Sequence, residues 1–144
     1  VNDGRSQNWH PVPTGSILMA KIGAALTKNH RKVTSVDCYI DNNMLAVIPI
    51  SEINRDYLYW LMKTIDATDV QNISTVPSIN MTLLRDRTVV LPGAHEQKFI
   101  ADFLDEKTAA IDDTIKKIQI STRLIQEYRS SLISHAVTGK IQTI

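Results

Sequence analysis

Leu91-Pro92-Gly93-Ala94-His95-Glu96-Gln97-Lys98-Phe99-Ile100-Ala101-Asp102-Phe103-Leu104-Asp105 is where the chain changes character. After Gly93 no proline occurs, and the next glycine is Gly139, so nothing between them breaks a helix. Gly93 reads as the N-cap, with Glu96 three residues on, beside the positive end of the helix dipole. His135 falls in the last turn, and Gly139 suits the left-handed position that follows a helix. At 1.5 Å per residue such a helix is on the order of 65 Å long. The 92 residues before it are too few to bury it, so much of it is expected to project or to pair with another helix.

The spacing favours pairing. Leu104, Ile111, Ile118, Ile125 and Leu132 recur every seven residues, the stripe of a coiled-coil seam. Calling these d positions puts Ala101, Thr108, Ile115, Thr122, Arg129 and Ala136 at a. That set is weaker and largely small, which lets a partner helix approach closely. The predicted pairing surface is Leu104, Ile111, Ile115, Ile118, Ile125 and Leu132. Ile100 and Phe103 widen it near the start, and Leu124 and Tyr128 near the finish, where a third helix can dock. For the isolated chain the substitute partner is a second copy, giving a two-fold dimer. An antiparallel arrangement brings Arg129 to the partner's first turns, where Asp102 or Asp105 can meet it. The competing reading is a single helix folded back on its own domain.

Before Pro92, Gly and Pro recur and apolar runs are short. Ser16–Ile22 and Met44–Ile50 read as strands, the second largely buried. Asn54 can cap a helix running to about Ile65, with Tyr57, Leu58, Leu61, Met62 and Ile65 at helical spacing. Ser78–Leu84 reads as a turn into a short helical piece, and Arg87–Leu91 as a further strand. Trp9 and Trp60 are expected in the core. The predicted class is α+β: a small mixed α/β domain over 1–92, a long coiled-coil-forming helix over 93–139, and a tail over 140–144.

Composition narrows the function. With 16 basic and 15 acidic residues the net charge is +1, too low for a DNA-coating protein but compatible with one local basic patch. No apolar run reaches the roughly 20 residues of a membrane span. The lone Cys38 fits a buried thiol in a strand and a reducing cytoplasm. No G-x-G occurs, so a methyltransferase cofactor turn is missing. Asp105-Glu106-Lys107 has the D-x-K spacing of some nucleases but falls inside the helix. The histidines, at 10, 30, 95 and 135, are scattered, so no metal site, no cofactor and no catalytic group is expected. The basic cluster is Lys28, His30, Arg31 and Lys32, with Lys21 one strand earlier. Cations on a loop suit phosphate contact; the alternative is a solvated turn. Ser78 and Asn80 can hydrogen-bond DNA or cap the helical piece.

The stretch quoted first resembles the proline-led, Glu-Gln-containing start of the spacer helix in Type I restriction–modification specificity subunits. Leu132-Ile133-Ser134-His135-Ala136-Val137-Thr138-Gly139-Lys140 resembles that helix's ending. Gly15-Ser16-Ile17-Leu18-Met19-Ala20-Lys21-Ile22-Gly23 is similar to a strand of the family's recognition domain, and Ser74-Thr75-Val76-Pro77-Ser78-Ile79-Asn80 to the loop before its last strand. Gly93-Ala94 stands where the family usually has a second proline, and 92 residues are fewer than a whole recognition domain. The chain starts at Val1, without an initiator Met, and is expected to hold the later part of one such domain and one helix.

The resemblance implies a non-catalytic subunit that binds double-stranded DNA and works with methyltransferase and restriction subunits. In the family, two recognition domains each read half of a split site. Antiparallel spacer helices hold them apart and bind the methyltransferase subunits. It implies DNA contact for Lys21, Lys28, His30, Arg31 and Lys32, and methyltransferase docking for Ile100, Phe103, Leu124 and Tyr128. A rigid rod makes physical sense, because reader separation must match the DNA helical repeat. The competing class is a coiled-coil adaptor or dimerisation protein that binds no DNA.

Overall fold

A computed structural model of the chain describes residues 10–72 and 74–141. The structure is α+β. Two compact units divide between Asp102 and Phe103, two turns into the long helix. Among the described residues the first unit holds seven short strands, β1 His10–Val12, β2 Ile17–Ala20, β3 Lys32–Val33, β4 Cys38–Ile40, β5 Met44–Val47, β6 Gln71–Asn72 and β7 Ser78–Ile79. Two helices accompany them, α1 Arg55–Thr64 and α2 Met81–Arg85. The long helix is α3, Ala94–Val137.

The strands form three antiparallel groups, with orders β3-β2-β5, β1-β4 and β6-β7. In the central sheet Ile17 lies opposite Val47 and Met19 opposite Leu45, while Leu18 faces Ala46 and Ala20 faces Met44. Alternation along a strand sends the first two pairs to one face and the last two to the other. Ile17 and Met19 are accordingly buried at 0% and 1% exposure. They meet Leu58, Met62 and Ile65 of the α1 segment, together with Leu26, Val70 and Ile79. Each such apolar side chain removed from water contributes about 1.5–3 kcal/mol.

Helix α1 begins where the sequence places it. Asn54 Oδ1 accepts from the N–H groups of Asp56 and Tyr57, both at 3.0 Å, satisfying two donors that the first turn leaves unpaired. Asn80 does the same for α2, accepting from Thr82 and Leu83 N–H, which settles its role as a cap. Ser78 lies in β7 instead, where its hydroxyl accepts from Asn72 Nδ2 at 3.1 Å.

Several expectations need correction. Residues 87–91 form no strand. They run without a ladder partner, held by the Arg87–Asp69 ion pair at 2.8 Å and by the Tyr57 hydroxyl donating to the Val90 carbonyl at 2.8 Å. The strand from Met44 stops at Val47 and is half-buried throughout, with Ile48 and Ile50 exposed. Cys38 sits in a strand as expected but is half-buried, as is Trp60. Trp9 lies outside the described residues.

Helix α3 has two regimes. Its first turns belong to the α/β unit, where Gln97 and Ala101 are each 1% exposed. From Phe103 onward almost every residue is exposed. The helix ends at Val137 and is closed by Gly139, whose φ of 70° is left-handed. Gly139 N–H donates to the Ala136 carbonyl and Lys140 N–H to the His135 carbonyl, the Schellman closure expected from the glycine.

Candidate nucleic-acid interface

The basic segment after Gly23 is built around a short 3-10 turn, Leu26–Lys28, closed by Asn29 at a φ of 50°. Buried Leu26 anchors it from below. Lys28, His30 and Lys32 are exposed, as phosphate-contacting cations need to be.

Arg31 does not join them, and this corrects the set read from the sequence. It is 3% exposed. Its Nε donates to the Met62 carbonyl at 3.1 Å, and its Nη2 to the Ile65 carbonyl at 2.9 Å and to Asn29 Oδ1 at 2.7 Å. Nη1 completes the set on the His30 carbonyl. Met62 and Ile65 end α1, so a planar guanidinium fork satisfies carbonyls that the last turn leaves open, where the helix dipole favours a cation. Burial pushes the guanidinium below its ordinary pKa, with Asp66 opposing that shift. Arg31 thus ties the loop to α1 and leaves its neighbours facing water.

Lys21 lies apart from that loop. Its backbone N–H donates to the Asn43 carbonyl at 2.7 Å and its carbonyl accepts from Ile79 N–H at 2.9 Å. It therefore sits at the junction of the central sheet, the β4–β5 turn and β7. Lys21 lines a groove of about 350 Å³ together with Arg85, a residue that no motif or charge cluster singles out. The groove does not include Lys28, His30 or Lys32.

Gln97, quoted in the opening motif without a role, is the other side chain that decides the geometry. Its Oε1 accepts from Asn54 N–H at 2.7 Å, while Nε2 donates to the carbonyls of Pro92 at 2.9 Å and Glu52 at 3.2 Å. One buried amide so joins the start of α3, the preceding Pro92 and the N-cap of α1. Gly93 supplies its carbonyl to Gln97 N–H at 2.9 Å.

On α3, Ile111, Ile115, Ile118, Ile125 and Leu132 are exposed and Leu104 is half-buried. Phe103, Leu124 and Tyr128 are exposed and Ile100 half-buried. The i,i+4 ion pairs Lys98–Asp102, Asp113–Lys117 and Arg123–Glu127 all fall outside the a and d positions, so the apolar stripe carries none of them. Among the described residues no group of His, Cys, Asp or Glu could hold a metal ion, and no helix is long and apolar enough to cross a membrane.

The described residues thus comprise a small α/β unit bearing exposed cations and a long helix whose heptad stripe is largely exposed. Comparison with known proteins shows the family. The family described as Type I restriction modification DNA specificity domain matches residues 6–123, and the chain belongs to it. Over 91 residues it is 28% identical to the specificity subunit of the Type I restriction enzyme EcoDI of Escherichia coli, covering 62% of this chain and 20% of that protein. Over 67 residues it is 31% identical to the EcoBI specificity subunit of the same organism, covering 46% of this chain and 14% of that one. The chain thus matches a fifth or less of these relatives' length.

Proposed function

We propose that the chain is the DNA-reading and spacer portion of a Type I specificity subunit, acting in the cytoplasm without catalytic groups of its own. The α/β unit contacts one half of a split site in double-stranded DNA through Lys21, Lys28, His30 and Lys32. Helix α3 pairs antiparallel with a second spacer helix, or with a second copy of itself, through Leu104, Ile111, Ile115, Ile118, Ile125 and Leu132. The apolar residues beside that seam, Ile100, Phe103, Leu124 and Tyr128, receive methyltransferase subunits, and restriction subunits act in the same complex. The observation that carries this reading is the extent of the family match, which takes in both the α/β unit and most of α3.

The test is duplex binding by the chain assembled with its methyltransferase subunits, monitored by anisotropy of random-sequence DNA from about 50 to 200 mM salt. Affinity should fall steeply with salt. Replacing Lys28 and Lys32 with Ala should flatten the log–log slope by about 0.9 for each phosphate that is no longer neutralised. Absence of any duplex binding would return the chain to the adaptor class.

A further inference from the structure

We infer that Lys21 and Arg85 form a second cationic contact, separate from the Lys28–Lys32 loop, and that the groove between them takes the sugar–phosphate backbone of the bound duplex. The inference rests on the DNA-reading function proposed above and adds where a strand lies.

Three features of the groove point to a polyanion with an apolar component. Its lining is mostly apolar, with Met44, Leu45 and Ala46 of β5, Ile48 beyond it, Ile40 of β4 and Met81 of α2. Lys21 and Arg85 supply its charge, and none of the ten lining residues is acidic. A neighbouring hollow, lined by Pro11, Val12, Pro13, Asp37, Cys38 and Tyr39, has the opposite sign, with one carboxylate and no cation. Deoxyribose is apolar on its ring face and phosphate anionic at its edge, so a backbone strand matches a mostly apolar lining that carries two cations and no carboxylate.

The backbone segments that carry the two cations are also fixed in advance. Among the described residues neither forms an ion pair, whereas Arg55 and Arg87 spend their charge on Asp56 and Asp69. Lys21 and α2 are linked through two consecutive residues. Ile79 N–H binds the Lys21 carbonyl, and Asn80 both binds the Val70 carbonyl through its N–H and caps α2 through its side chain. Arg85 lies in the last turn of that helix. Cations fixed to a scaffold this way lose less backbone freedom on binding than cations on a loose loop.

The experiment compares the parent complex with Lys21→Met/Arg85→Met, in which aliphatic stems keep their packing and only charge is removed. The probe is again random-sequence duplex DNA, read as the salt slope of binding. The double variant should bind at least about tenfold more weakly at low salt and lose close to two units of slope, at about 0.9 for each phosphate. Arg85→Met alone, at an exposed position, should show about half of that slope change, and Arg85→Lys should keep the parent slope. If the parent binds and the methionine variants match it in affinity and slope, the groove is not the contact, and the DNA-reading function stands without it. If the parent itself binds no duplex, that function fails and the groove assignment falls with it.

Discussion

Gln97 and Arg31 do similar work from opposite ends of α1. Each is a buried polar side chain whose groups find backbone partners, which is the condition for burying polarity without loss. Replacing Gln97 with Leu keeps the volume but strands the Asn54 N–H and two carbonyls. A buried group left unpaired costs about 1–3 kcal/mol, and each kcal/mol lowers the melting temperature of a domain this size by about 4–8 °C. Thermal melts should therefore show Gln97→Leu well below the parent; a melt within a degree or two would mean the amide pins nothing. Arg31→Lys should also destabilise, because a single ammonium cannot reach the Met62 and Ile65 carbonyls in the plane that the fork spans. Neither role is legible in the sequence. Arg31 stands between exposed basic residues, and only the path of α1 turns it inward. Gln97 sits in the most recognisable motif of the chain, yet two of its partners, Glu52 and Asn54, lie in a distant upstream segment.

At the scale of elements, legibility follows the length of the pattern. Helices α1 and α3 carry periodicity over several turns and end signals at Asn54, Gly93 and Gly139, and all of these signals hold in the structure. The sheets are harder to read because β3, β6 and β7 have two residues each, too few for an alternating pattern to register. The β-branched run Thr88-Val89-Val90 misleads in one place: residues 87–91 read as a strand, but no edge pairs with them, and Val90 is left 76% exposed. The cap of α1 gives a clean test. Asn54→Ala removes the side-chain acceptor but retains the backbone N–H that Gln97 holds, so it should cost about 0.5–2 kcal/mol. Denaturant unfolding of Asn54→Ala and Asn54→Asp should separate the two, with Asp close to the parent. Equal destabilisation by both would place the energy elsewhere than in the cap.

At the scale of the whole molecule the question is what covers α3. The stripe is symmetric about Ile118, with Leu104 and Leu132 equidistant from it and Ile111 and Ile125 likewise. An antiparallel pair would therefore set Ile118 against its own copy and match the remaining layers. Burying each Leu or Ile contributes about 1.5–3 kcal/mol, and the summed layers exceed the several kcal/mol that association costs. Sedimentation of the isolated chain at tens of micromolar should give a dimer, and Ile118→Asp should give a monomer with the α/β unit still folded. A parent that sediments as a monomer would remove the pairing role. The heptads are readable from sequence alone. The cationic groove is not, because Lys21 and Arg85 converge only through the link from β7 to α2.

A DNA-reading dimer and a protein-only adaptor differ most sharply in the site that a partner methyltransferase would modify. Two identical readers related by a two-fold axis must recognise identical half-sites in inverted orientation, separated by a fixed gap. Sequencing of methylated positions, in cells that hold this chain as the sole specificity component beside its methyltransferase, reads that arrangement directly. The expected result is a split, palindromic site with one constant spacing. Methylation at an unsplit or non-palindromic site, or none that depends on the chain, would contradict it.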